Sequence, residues 1–236
     1  MNDPILSLDK VHTHIGQHHI LQGISLNMKA KGGATILLGR NGAGKSTTLR
    51  TIMGLTPAST GRINFKGKAI ENKKTHEIAR MGMGFVPEDR AVLFNLTVEE
   101  NFRLSMIEEN EKTHENLNEV LELFPALKKF WKTKAGLLSG GQRQMLAIAR
   151  VFVCDHALLL IDEPSKGLAP IVVDQLGESL LRIKDKTKVI LVEQNFNLAR
   201  QVGSDCFILD DGQVVFHGLI QDLALDKTMM KNYLGI

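Results

Sequence analysis

Aromatic residues make up only 5% of the 236-residue chain, with one Trp and one Tyr, and apart from the short stretch "KKFWKTK" they do not recur along runs of basic residues. A surface for stacking nucleic-acid bases is therefore missing. Charge of one sign is scarce as well, because a formal net charge of +3 at pH 7 is too small an excess to draw a polyanion. Both absences argue against a nucleic-acid partner. Cys154 and Cys206 are the only two cysteines, with no CxxC spacing, which excludes a disulfide framework or zinc module and fits a reducing compartment. No long apolar run exists either. The stretch "ALLLI" at Ala157–Ile161 is about a quarter of the roughly 20 residues that cross a bilayer. The start, "MNDPILSLDK", carries an acid and a proline where a secretory leader has basic and then apolar residues. The expectation is an intracellular chain that reaches a membrane only through a partner. Repeats, low-complexity segments and extended linkers are absent too.

What the chain does have is 43% hydrophobic residues, enough for a packed α/β core. Its first thirty residues alternate apolar and polar, predicting antiparallel strands that turn near Gly16 and Gly23. The run "ATILLG" reads as a strand covered on both faces and feeds "RNGAGKSTTLRTIMG", whose Leu49, Ile52 and Met53 keep helical spacing before Gly54. After "GRINFKGKAI" and "MGFV" the pattern turns helical from about Thr97 to Cys154, with Thr97 and Glu100 spaced as a capping box. Then strands and helices alternate again through "ALLLID", "KVILVEQ" and "CFILDDGQVVFHG", where Asp211-Gly212 marks a hairpin. We expect a single domain over 1–236. Its core is a mostly parallel sheet, joined by an antiparallel β subdomain and a helical insertion at about 89–155.

Three motifs carry chemistry. The first is Gly39-x-x-x-x-Gly44-Lys45-Ser46 between a strand and a helix, the context a phosphate loop requires. Backbone N–H groups of Gly39, Arg40, Asn41, Gly42, Ala43, Gly44, Lys45, Ser46 and Thr47 can converge on phosphate oxygens. The helix dipole assists, Lys45 reaches the β- and γ-phosphates, and Ser46 meets Mg²⁺. The second is "LLLIDEP", an apolar strand that delivers Asp162 and Glu163 to the ligand-binding edge of the sheet. Asp162 is placed to orient the metal and Glu163 to act as general base toward water. The third is "LSGGQ". Ser139 as N-cap, followed by Gly140, Gly141 and Gln142, leaves N–H groups and a hydroxyl free for a second anion.

In this order and spacing the motifs resemble the ATP-binding cassette family over essentially the whole chain. The resemblance implies a P-loop NTPase fold, ATP as substrate and Mg²⁺ as cofactor. It also implies head-to-tail pairing with a second cassette, in which the Ser139–Gln142 loop closes over the partner's nucleotide. Two positions depart from the family pattern. Glu88 stands where a glutamine is usual and would face the metal, and Gln194 replaces a switch histidine, so its amide would donate to the γ-phosphate without titrating. With "EPSKGLAP" and "LFNLTVEEN", both look like the ATP-binding subunits of branched-chain amino acid uptake systems, and related urea or short-amide systems share them. An aromatic usually stacks on adenine at the position held by His14 and Ile15, and either can make that contact here. The implied assembly has two membrane permeases, an indirectly associated solute-binding protein and a peripheral position on the cytoplasmic face of the plasma membrane. Soluble and exporter-associated cassettes are the alternatives.

Overall fold

The computed structural model describes residues 4–29, 33–106 and 110–236; Met1–Asp3, part of the leader argument, lie outside it. Strands β1 (Pro4–Ile15) and β2 (His18–Lys29) form the first antiparallel pair. Gly16 turns between them, as expected. Gly23 does not. It lies inside β2 at φ +91°, where the pairing jumps from Val11–Ile24 to His12–Gln22, so the glycine supplies the extra residue of a bulge rather than a turn. Together with β4 (Thr60–Phe65) and β5 (Lys68–Ala69), introduced after β3 (Ala34–Leu38), these strands make a four-stranded sheet ordered β2-β1-β4-β5.

The larger sheet is ordered β10-β9-β3-β8-β7-β6, with β6 at Met83–Val86, β7 at Leu158–Asp162, β8 at Lys188–Val192, β9 at Gly203–Asp210 and β10 at Gln213–Leu219. Its five strands from β9 to β6 are parallel, and β10 pairs antiparallel through Asp211 and Gly212, both at positive φ. Such a pair of left-handed residues makes a tight hairpin turn. The central strands are apolar on both faces because both are covered. Leu159 and Ile161 of β7 pack into one core with α6 (Gly140–Phe152) and α7 (Pro170–Lys186). Leu158 and Leu160 pack into the other with α1 (Lys45–Ile52) and the antiparallel sheet. Each such side chain contributes about 1.5–3 kcal/mol by burial. Four of them outweigh the cost of the carboxylate that ends the strand.

A short helix, α2 (Thr75–Arg80), precedes β6, and between β6 and β7 the chain is helical, with α3 at Val98–Ser105, α4 at Glu111–Leu123 and α5 at Pro125–Lys129 before α6. The expected capping box is present in α3, where Thr97 Oγ1 accepts from Glu100 N–H and Glu100 Oε2 accepts from Thr97 N–H. Trp131 stacks on buried Phe102, with ring centroids 5.5 Å apart, so it belongs to the core of this segment.

Candidate functional site

Sheet order decides what meets what. Neighbouring parallel strands β3, β8, β7 and β6 all end at one edge, and from their ends emerge the phosphate loop, Gln194, the Asp162-Glu163 pair and Glu88. Gly39 leaves β3 at φ +143°, and a Cβ there would lie 2.2 Å from the Leu209 carbonyl oxygen, so only glycine fits against β9. The buried Lys45 side chain turns back under the loop and donates to the carbonyls of Gly39 at 2.8 Å and Arg40 at 2.9 Å. Burial holds its ammonium below the ordinary value, opposed by the charges of Glu163 and Asp162.

Ser46 Oγ donates to Asp162 Oδ1 at 2.9 Å, which brings two hard oxygen donors together at the N-terminus of α1. That donor chemistry suits Mg²⁺, which takes few protein ligands and completes its shell with phosphate and water. Burial pushes the Asp162 carboxyl up to about 6, against the bond from Ser46, and nearby Glu163 and Glu88 add to the rise.

Glu163 sits at φ +44°, a left-handed conformation that costs a non-glycine residue about 1–3 kcal/mol, and its N–H donates to Val192 O at 2.9 Å. The strained turn aims the carboxylate into the site between two cations. Lys45 Nζ is 3.7 Å from Oε1 and Lys166 Nζ is 3.7 Å from Oε2. Gln194 Nε2 donates to Glu163 Oε1 at 2.6 Å and to Asn41 Oδ1 at 2.7 Å, so the amide joins Glu163 to the Gly39–Thr47 loop. Glu88 lines the same cavity as Asn41, Lys45, Ser46 and Glu163, but its carboxylate is held by Lys166, 2.6 Å away.

None of Ser139, Gly140, Gly141 and Gln142 lines that cavity. Ser139 is the N-cap of α6 in a reciprocal pair. Gln142 N–H donates to Ser139 Oγ at 3.3 Å, and Ser139 N–H donates to Gln142 Oε1 at 2.9 Å. A single chain therefore does not bring its two anion loops to one cavity. His14 ends in a stack: its ring lies 4.3 Å from that of His19, nearly coplanar in orientation, and its Nδ1 is bonded to Ser59 Oγ. Ile15 is half exposed, and the apolar residue that lines the phosphate cavity is Ile20.

Sequence reading missed Lys166, Arg90 and Glu193. Arg90 Nε donates to Gln144 Oε1 on α6 at 2.8 Å, and its Nη2 reaches the Lys166 carbonyl at 3.4 Å. Lys166 was readable only as a lysine inside "EPSKGLAP", three residues after Glu163, since its closer partner Glu88 is set by tertiary placement.

A family model described as ABC transporter matches residues 21–166. The chain is 39% identical over 233 residues to the high-affinity branched-chain amino acid transport ATP-binding protein BraG of Pseudomonas aeruginosa, covering 98% of this chain and 100% of that one. It is 34% identical to the probable branched-chain amino acid transport ATP-binding protein LivF of Archaeoglobus fulgidus, covering 96% of this chain and 97% of the relative. Among solved structures, the ADP conformation of an ATP-binding cassette of an ABC transporter superposes with a TM-score of 0.83 at 25% identity, covering 97% of both chains. Among the described residues no helix is long and apolar enough to cross a membrane. The chain belongs to the ABC transporter family, as an ATP-binding subunit that hydrolyses ATP.

Proposed function

We propose that the chain drives the import of branched-chain amino acids, or of related small amides. It would sit on the cytoplasmic face of the plasma membrane, beneath two permease subunits fed by a solute-binding protein. It would work as one of a pair of cassettes. The cargo reading is supported by likeness over the whole chain to relatives that are named for branched-chain amino acid transport. The chemical reading rests on one observation, the Gln194 amide held between Glu163 and Asn41.

From that arrangement the roles follow. The loop Gly39–Thr47 cradles the phosphates with backbone N–H groups, and Lys45 supplies a point charge from beneath them. Ser46 and Asp162 would hold Mg²⁺, with Glu88 as a further oxygen donor once it leaves Lys166; the bound ion would supply charge neutralisation on the phosphates. Glu163 accepts a proton from the attacking water, and Gln194 fixes the base relative to the phosphate loop. Ser139, Gly140, Gly141 and Gln142 serve the nucleotide of the second cassette, since they lie outside this chain's own cavity. His14 or Ile15 would meet adenine.

The test is reconstitution in proteoliposomes with permeases, a partner cassette and a solute-binding protein of the branched-chain amino acid type from the same source. ATP-dependent uptake of leucine and valine is expected. Uptake of urea or a short amide in their place would move the cargo, and uptake unaffected by ATP would remove the importer reading.

A further inference from the structure

The run "KVILVEQN" carries an acid, Glu193, directly after β8, and the residue is 1% exposed. An ionised carboxylate in such a place costs several kcal/mol unless it is fully hydrogen-bonded. Here it accepts four bonds: from Ser165 N–H at 3.0 Å, Ser165 Oγ–H at 2.8 Å, Gln194 N–H at 3.1 Å and Asn195 N–H at 3.1 Å. Three of these partners are backbone N–H groups, which can only donate, and the fourth is a hydroxyl, so the carboxylate's acceptor sites are well supplied. Burial nevertheless lifts its pKa, against these same bonds.

The positions of those donors are informative. Gln194 and Asn195 open the turn into α8 (Phe196–Val202), which Asn195 caps through Leu198 N–H. Ser165 lies two residues beyond Glu163, in the segment whose Lys166 holds Glu88 and meets Arg90. Glu193 thus ties the backbone of Gln194 to the backbone that follows Glu163. The Gln194 amide reaches Glu163 from an exposed position, so its own packing does not fix it.

We infer that Glu193 is a positioning residue for ATP hydrolysis, its buried carboxylate joining the segment after Glu163 to the turn at Gln194 so that the Gln194 amide stays on the general base. This rests on the role proposed above for Gln194. It predicts that Glu193 acts on the chemical step through Gln194 more than on nucleotide binding: the residue borders Gly39, Arg40 and Asn41, but its carboxylate bonds to Ser165, Gln194 and Asn195 and not to the phosphate loop.

The experiment is a double-mutant cycle on the full chain, paired with its partner cassette. It combines single-turnover hydrolysis rates with equilibrium binding of ATP in EDTA. Glu193→Gln keeps the volume but turns an NH₂ toward N–H donors. It is expected to slow hydrolysis about 10- to 100-fold, the range for losing charge-assisted hydrogen bonds of this kind, while the ATP dissociation constant stays within about threefold. In a Gln194→Ala background the same substitution should change the rate less than about twofold, because the group it positions is already gone. Equal slowing in both backgrounds would overturn the positioning role and leave that of Gln194 intact. Unchanged hydrolysis in Gln194→Ala alone would overturn both. Should Glu193→Gln fail to fold, Ser165→Ala, which removes one hydroxyl, takes its place in the cycle. A roughly threefold or greater slowing that vanishes in Gln194→Ala supports the inference, and any other result overturns it.

Discussion

The Gln194 amide nitrogen lies 2.6 Å from Glu163 Oε1 and 2.7 Å from Asn41 Oδ1, so one uncharged side chain connects the proposed general base to the phosphate loop. Two loops that leave β7 and β3 are thereby tied through the strand between them.

Removing that connection should affect chemistry more than binding. Gln194→Ala is expected to slow hydrolysis by about 2–4 kcal/mol in the barrier, the range for one lost preorganised donor. ATP affinity should change only a few-fold. Stopped-flow phosphate release with parallel binding titrations separates the two, and an unchanged turnover would show that another group does this work.

Lys45 is buried and bonded to two loop carbonyls, so it shapes the loop as well as charging it. Lys45→Ala should abolish hydrolysis and weaken ATP binding about 10- to 100-fold, as expected for a charged hydrogen bond worth about 1.5–3 kcal/mol. Near-normal turnover would remove the phosphate-loop assignment.

Glu163→Gln keeps the shape of the base but cannot take a proton from water, so ATP should bind and remain uncleaved. A dimer should then accumulate with ATP and dissociate with ADP, read by size-exclusion chromatography with light scattering. Adding Ser139→Arg, which puts a long charged side chain at the cap of α6, should abolish it. A dimer that survives the second substitution would mean that this loop does not serve the partner's nucleotide.

Asp162 has a carboxyl moved from 3.8 to about 6 by burial. Because the folded value is the higher one, its stabilising contribution is complete below about 3.8 and is lost as the pH rises through about 6. At pH 7.5 the nucleotide-free protein therefore bears a cost of about 3 kcal/mol for keeping the group ionised. Asp162→Asn in EDTA should melt roughly 5–10 °C higher than the parent at pH 7.5, with the gap closing toward pH 4.5. A gap that does not change with pH would show that the burial of charge is not its cause.

Local chemistry made much of the protein legible in its sequence. Glycines at Gly39, Gly42 and Gly44 before Lys45 tolerate the positive φ angles that a phosphate cradle needs and other residues resist. Thr97 with Glu100 and Ser139 with Gln142 are self-contained caps, and Asp211-Gly212 selects its own turn. The family's ordered motifs then supplied the fold, because each lies on a strand end or helix start that its own neighbours determine. Strand order was decided elsewhere. Nothing within "KVILVEQN" states that its strand inserts between β3 and β7, yet that insertion puts Gln194 on Glu163 and buries Glu193 among four donors. The same holds for the pairing of Lys166 with Glu88, which follows β6, whereas its contact with Glu163, three residues before it, is local. It holds also for Gly23, which became a bulge instead of a turn because β1 continued alongside β2 on both sides of it. Hydrogen bonds between residues close in sequence are set by short-range sterics, whereas these depend on which strands become neighbours. Only packing of the whole apolar core makes that choice.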